Sequence, residues 1–319
     1  IDKRVNVRFF NIKESRIRKM MIQSFKPLKS YFKDNNIDLV FLFGDYPVPI
    51  TLLANLFTKQ KFIFCDHGAL LNQIHNKKVT MFRKLATKFC KKIIVLTEKT
   101  LNDYKTIFHI KDNKIDYIYN WIDDEIFDHI CNYNTNSKKI VTAGRFGPEK
   151  GFDMLVDVAD IVLKKHPDWT WDLFGDGEEF EKVKNLIYKK GLENNLILKG
   201  QTDNMYDKYK DYAMYVLPSY REGLPLVLLE AKANHLPIVS FDVITGPREI
   251  VQDNIDGFLI DCYDKKQMAD KICKLIENEA LRGQFSSRSY DNLDQFRKEN
   301  IIYKWIKLIN DLINGGKNE

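Results

Sequence analysis

The sequence predicts an α/β protein made of two doubly wound domains in tandem, and three observations carry that expectation. Short apolar runs alternate with amphipathic stretches along nearly the whole chain, the pattern of parallel sheets with crossover helices. The 319 residues exceed what a single core usually organises and suit two. A polar, turn-rich stretch, "NYNTNS" at 132–137, separates two such series and is the best linker candidate.

In the first series the expected strands are "VNVRFF" (5–10), "DLVFLFG" (38–44), "KFIFC" (61–65), "KIIVLT" (92–97) and "IDYIYN" (115–120). Helical periodicity fills 14–34, 47–58, 78–90 and 98–107 between them. In the second series strands are expected at 139–144, 169–175, 195–200, 213–219, 237–241 and 257–260, with helices near 151–165, 178–191, 225–235 and 264–276. A last helix, "KENIIYKWIKLINDLIN" (298–314), follows the second series. The expected domains are therefore 1–135, 136–297 and a C-terminal helical segment 298–319 that crosses back to the first domain.

Composition narrows the function. Hydrophobic residues are 44% and charged residues 29%, as in a soluble globular protein. A net charge of +6 suits a phosphate-bearing small ligand or an anionic surface, and no nucleic-acid-binding motif accompanies it. Five scattered cysteines without a CxxC pair argue against a disulfide framework or a zinc site and favour a reducing cytoplasm. No apolar run approaches the roughly 18 residues that span a bilayer. The basic, amphipathic stretch 12–33 is open to two readings, a helix laid on the sheet or a peripheral contact with an anionic membrane face.

In open α/β sheets ligands bind beyond the carboxyl ends of strands, near helix N-termini, so the residues after each strand carry the chemistry. In "TAGRFGPEKG" (142–151), Gly144 ends a strand and Arg145 and Lys150 follow. Two cations at a glycine-bearing turn suit a diphosphate. In "DLFGDGEE" (172–179), Gly175 lets a ligand approach the backbone. In "LKGQTDNM" (198–205), Thr202 or Asp203 caps a short helix. The segment "SYREGLPLVLLEAKANHLPIVSFD" (219–242) holds two glutamates eight positions apart. Glu222 stands in a turn, where the N–H groups of Gly223 and Leu224 offer an anion site. Pro225 is expected at the first helical position. Glu230 falls among apolar helical residues, where a charge is costly unless something satisfies it. A hydroxyl pair would do so, since each carboxylate oxygen accepts a hydrogen bond. In the first series, Gly44 and Asp45 of "LFGDYP" and His67 and Gly68 of "FCDHGALLNQ" also follow strands, as do Thr97, Glu98 and Asn120.

These motifs, in this order, resemble retaining glycosyltransferases of the GT-B fold, and more closely the bacterial family four, the group 1 glycosyl transferases. The resemblance is strongest over 139–260, through "GRFGPEKG", "FGDGEE", "EGLPLVLLEA" and "DGFLI". It implies two Rossmann-like domains facing a cleft, and transfer of a hexosyl unit from a UDP-sugar to a growing bacterial polysaccharide or lipid-linked oligosaccharide. It further implies metal-independent chemistry with no cofactor beyond the donor, at the cytoplasmic face of the membrane. By the same resemblance Arg145 and Lys150 neutralise the diphosphate and Glu230 binds the ribose. Glu222 holds the donor sugar, aided by Gly223 and Leu224, with Gly144 and Gly175 at the donor, and Thr202 lies near the uracil. His67 contacts the transferred sugar, which makes Glu222, His67, Arg145 and Lys150 the catalytic set. Gly44, Asp45, His67 and Gly68 line the acceptor side. The chain departs from the family pattern in lacking the first strand and glycine-rich loop, with "RVNVRFF" taken as a later strand. That departure leaves room for a non-catalytic nucleotide- or glycan-binding partner of another transferase.

Overall fold

The structure, a computed structural model, describes residues 3–10, 12, 16–56, 58, 60–129 and 132–314. It divides into two compact units, residues 1–118 with 308–319, and residues 119–307. The division falls before the expected boundary at 135, because the supposed linker is fastened to the second unit. Tyr133 Oη donates to Ala213 O at 2.6 Å, Ser137 Oγ donates to Asp211 O at 2.6 Å, and Arg282 Nη2 donates to Thr135 O at 2.8 Å.

The first unit contains α1 (Ile17–Asp34), β1 (Leu39–Phe43), α2 (Pro47–Asn55), β2 (Lys61–Asp66), α3 (Leu70–Gln73), α4 (Lys77–Phe89), β3 (Lys92–Val95), α5 (Glu98–Phe108) and β4 (Ile115–Tyr117). Its four strands lie parallel in the order β1-β2-β3-β4. After its first residue β2 is buried throughout, as expected of a strand covered on both faces. Residues 5–10 do not form the expected strand. They pair with no neighbour among the described residues, and Val5, Val7 and Phe9 stay exposed. The segment instead meets α1 through Tyr31, whose ring faces Arg8 and Phe10. Leu28, Tyr31 and Phe32 of α1 pack into the first core. Residues 13–15 of the stretch 12–33 lie outside the described residues.

The second unit contains β5 (Lys139–Ala143), α6 (Phe152–Lys165), β6 (Thr170–Phe174), α7 (Phe180–Lys190), β7 (Leu196–Gly200), β8 (Met214–Leu217), α8 (Leu226–Ala233), β9 (Ile238–Phe241), α9 (Pro247–Ile250), β10 (Gly257–Ile260), α10 (Lys265–Glu277) and α11 (Glu279–Arg288). Helix α12 (Lys298–Asn314) begins here, and its residues from Leu308 group with the first unit. The six parallel strands run in the order β10-β9-β8-β5-β6-β7. The order reverses between β5 and β8, and that crevice is where such sheets bind ligands. Two hydrogen bonds cross this junction: Thr142 Oγ1 donates to Val216 O at 2.7 Å, and Tyr215 Oη donates to Ala143 O at 2.7 Å. Among the described residues no helix is long and apolar enough to cross a membrane.

Candidate functional site

Two turns meet at the β5/β8 reversal. After β5, Gly144 N donates to Phe174 O at 3.0 Å, and Phe146 is buried with its ring stacked 3.8 Å from that of Phe152. This anchor leaves Arg145 on the outside, 61% exposed, where it pairs with Glu149 and lies 3.9 Å from Glu178. Lys150 turns inward, and its Nζ donates to Glu222 Oε1 at 2.8 Å. After β8, Ser219 Oγ donates to the same Oε1 at 2.7 Å, and Thr245 Oγ1 donates to Glu222 O at 2.7 Å. The turns can approach because Gly151 has φ +67° and no side chain, since a Cβ there would stand 2.1 Å from Pro218 O. Gly175 has φ +131°, and a Cβ would meet Gly144 O at 1.9 Å, so its place is under the β5 turn. Gly144, Arg145, Lys150, Ser219, Glu222 and Leu224 help to wall a cavity of about 340 Å³.

Helix α8 starts one residue later than expected. Pro225 is its N-cap, with φ −73° and ψ 103°, and Leu226 is the first helical residue. An extended ψ at Pro225 turns the chain into the helix, which leaves Gly223 and Leu224 in the turn before it. Glu230, the fifth residue of α8, is satisfied on one side by Tyr209, whose Oη donates to Oε2 at 2.8 Å. Burial pushes the Glu230 carboxyl above its ordinary value, and the Tyr209 hydrogen bond opposes that shift. Glu230 lines a second cavity, of about 360 Å³, together with Asn120, Trp121, Asp123, Tyr206 and Leu226. Leu226 lines both cavities, so the two glutamates serve adjoining spaces with one apolar wall in common. Thr202 is half-buried and accepts the Asn204 N–H at 3.3 Å as the cap of a turn, and it is not among the residues lining either cavity.

At the carboxyl edge of the first sheet, Gly44 and Asp45 follow β1 and His67 and Gly68 follow β2. His67 is exposed, edge-on to Phe43 with ring centroids 5.5 Å apart. Local desolvation holds its imidazolium below the usual range, with Asp66 opposing. Beneath lies Arg83, fully buried, its Nε 3.0 Å from Asp45 Oδ1 and 2.8 Å from Asp66 Oδ2. Its Nη2 donates to Gln73 Oε1 at 2.7 Å and to Asp66 Oδ1 at 3.0 Å. Asp66 also accepts from Tyr104 Oη at 2.6 Å and from the Gly68 N–H at 3.0 Å. Thr97 caps α5 by accepting the Thr100 N–H, so its hydroxyl is spent on the fold.

Burial pushes the Asp45 carboxyl up to about 6, with Arg83 opposing and Asp66 adding to the rise. A carboxyl that holds its proton more tightly folded than unfolded costs stability as it ionises. Stability is therefore expected to fall as pH rises from about 4 to about 6 and to level off above. Asp45→Asn should flatten that slope in thermal unfolding followed from pH 4 to 7, and an unchanged slope would assign it elsewhere.

Sequence reasoning missed Tyr209, Tyr206, Trp121 and Asp123 around Glu230, and Arg83, Gln73 and Tyr104 around Asp66. An apolar-flanked Glu230 announced that a partner was needed, but nothing local identified Tyr209. Arg83 sat unflagged on the face of an amphipathic helix.

Two parallel-sheet α/β units, the second doubly wound with cationic turns and a buried carboxylate at its strand-order reversal, define the architecture of a GT-B glycosyltransferase. The described strands of the first unit, β1-β2-β3-β4, run in sequence without a reversal. Residues 123–292 match the glycosyl transferases group 1, residues 2–126 match glycosyltransferase family 4, and the chain belongs to this family. A Haemophilus influenzae protein described as an uncharacterized glycosyltransferase is 30% identical over 308 residues, covering 96% of this chain and 85% of its own length. The Staphylococcus aureus poly(ribitol-phosphate) alpha-N-acetylglucosaminyltransferase is 33% identical over 220 residues, 68% of this chain but only 43% of that protein. A crystal structure of S. aureus TarM, a mutant in complex with fondaparinux, alpha-GlcNAc-glycerol and UDP, superposes with a TM-score of 0.80 at 27% identity. The superposition covers 91% of this chain and 59% of TarM.

Proposed function

We propose that this chain is a retaining, metal-independent hexosyltransferase that takes a sugar from a UDP-sugar and passes it to a saccharide or lipid-linked acceptor in polysaccharide synthesis. The observation that carries the reading is the Lys150–Glu222–Ser219 cluster at the β5/β8 reversal, with Glu230 in the adjoining cavity. The S. aureus relative, named for transfer of N-acetylglucosamine, and the UDP bound in TarM support it. In this reading Lys150 and Arg145 neutralise the diphosphate as it leaves, and the open N–H groups at the start of α8 add to the same field. Glu230 accepts the ribose hydroxyls with the lone pairs that Tyr209 leaves free. The bond from C1 to the donor phosphate breaks, the acceptor oxygen bonds to C1 on the same face, and its proton passes to the departing phosphate. The acceptor-side residues are Gly44, Asp45, His67 and Gly68.

The test is calorimetric titration of UDP against GDP, ADP and NAD. UDP alone is expected to bind, and Glu230→Ala should weaken it by roughly tenfold or more, about 1.4 kcal/mol. A well-folded sample that binds none of the four, or a variant that binds UDP unchanged, would overturn the assignment.

A further inference from the structure

Charge is divided very unequally between the two units. Counted over residues 1–118 and 308–319, 24 Lys and Arg face 12 Asp and Glu, a formal +12; over 119–307 the counts are 26 and 32, a formal −6. The modest net charge of the whole chain conceals a strongly basic first unit.

Part of that charge is gathered in a cavity of about 490 Å³ at the amino edge of the first sheet. Lys61 opens β2, Lys92 opens β3, and Lys91 and Lys114 complete the basic wall. None of the residues that line it is acidic. Three of these lysines are held without being neutralised. Lys61 Nζ donates to Leu312 O at 2.9 Å, Lys92 Nζ to Asn113 O at 3.2 Å, and Lys114 Nζ to Lys88 O at 3.2 Å. An ammonium has three protons, so each keeps two donors and nearly its full charge. Asp116 stands 4.0 Å from Lys92 and is itself 58% exposed, too far and too wet to cancel the field. Lys91 is exposed and has no partner among the described residues. Elsewhere in both units lysines sit on carboxylates, as Lys105, Lys138, Lys164 and Lys265 do.

We propose that this cavity binds a phosphodiester-linked polyol chain, the polymeric acceptor of the transfer reaction, and the inference rests on the function proposed above. Four lysine ammonium groups suit phosphate, which lysine binds as a point charge from any direction. The cavity's roughly 490 Å³ accommodate single phosphate groups spaced along a chain. The cavity lies at the opposite end of β2 from His67, roughly 20 Å away along six residues of strand. Only a polymer reaches both, so the cavity should act on long acceptors and be invisible to short ones. The S. aureus relative named for poly(ribitol-phosphate) and a Bacillus subtilis relative named for poly(glycerol-phosphate) act on polymers of this class.

The test uses the full chain and a synthetic poly(glycerol phosphate) oligomer longer than the sheet, titrated without donor. Comparators are a carboxylate polysaccharide of equal length, single-stranded DNA and phosphatidylglycerol vesicles. The oligomer is expected to bind in a salt-sensitive way. Lys91→Glu with Lys114→Glu should weaken it by roughly tenfold or more, while UDP binding, measured separately, stays as in the parent chain. In turnover, KM for the long acceptor should rise with kcat unchanged, and a single-unit acceptor should be indifferent. Lys91→Gln, which disturbs no hydrogen bond, provides the same readout at smaller size should the double variant fold poorly. Oligomer binding untouched by these changes, or equal binding of the carboxylate polymer or DNA, overturns the proposal. So does a lysine dependence seen only with vesicles. Loss of UDP binding in the parent chain would instead strike the donor reading, leaving the two failures distinct.

Discussion

Replacing Lys150 by alanine is expected to lower kcat by about 10²- to 10³-fold, the usual cost of removing one preorganised donor from a developing anion. Lys150 meets Glu222 at 2.8 Å, and the two side chains are 25% and 7% exposed. Only one ammonium proton is spent on that carboxylate, so two remain for an incoming diphosphate. Arg145 compensates only in part, because it is 61% exposed and shares its guanidinium with Glu149. The substitution also strips Glu222 of the Lys150 cation and leaves its side chain, among the described residues, the Ser219 hydroxyl. Glu222→Gln should therefore couple to Lys150→Ala, and the double variant should lose less than the sum of the single losses. Steady-state kinetics on all three variants checks this. A Lys150→Ala enzyme within a few-fold of the parent, or strictly additive losses, would remove Lys150 from the reacting centre.

Replacing Arg83 by methionine should destabilise the first unit by about 3–5 kcal/mol, the range for breaking a buried ion pair from one side. Arg83 is fully buried and offsets Asp45 and Asp66, which are 11% and 2% exposed. Methionine fills much of the volume but leaves two carboxylates facing one another under the His67 turn. Tyr104 and the Gly68 N–H still serve Asp66, whereas Asp45 loses its only cation among the described residues. Asp45 should then take up a proton at still higher pH, and the variant should regain stability on mild acidification. Thermal unfolding of the variant across that range decides the matter. A loss below about 1 kcal/mol would mean that the cluster contributes little, as exposed pairs do.

How far the sequence could be read depended on the range of the interaction. Strand and helix alternation is local, so β1 through β10 appeared where the short apolar runs fall, and Glu222 and Glu230 stood out by their neighbours alone. The strand expected at 5–10 failed because alternation shows that a segment can pair, not that a partner strand is available. The boundary at 135 failed for a related reason: the polar stretch 132–137 looks like a free linker until the carbonyls of Ala213 and Asp211 are brought to it by folding. Polar partnerships across the fold were the least legible. Tyr209 lies 21 residues before Glu230, and Tyr104 lies 38 after Asp66, and only the assembled sheets bring them together. The basic cavity was hidden similarly, since its lysines come from the starts of two strands and a turn, each ordinary where it stands.

The two sheets also differ in the order in which a growing chain can complete them. In the first, every strand pairs with its successor, so each new strand adds directly to what is already in place once its crossover connection is made. In the second, β5 needs β8, whose residues come some seventy positions later, with Ile140 set beside Met214 and Val141 beside Tyr215. Closing so long a loop costs entropy before any contact repays it. The Gly144–Lys150 turn thus leaves the ribosome early in the second unit's synthesis but acquires its facing wall only after Glu222 has followed. During translation the cavity between these two turns cannot form until β8 and the turn after it have been made, well after its first wall.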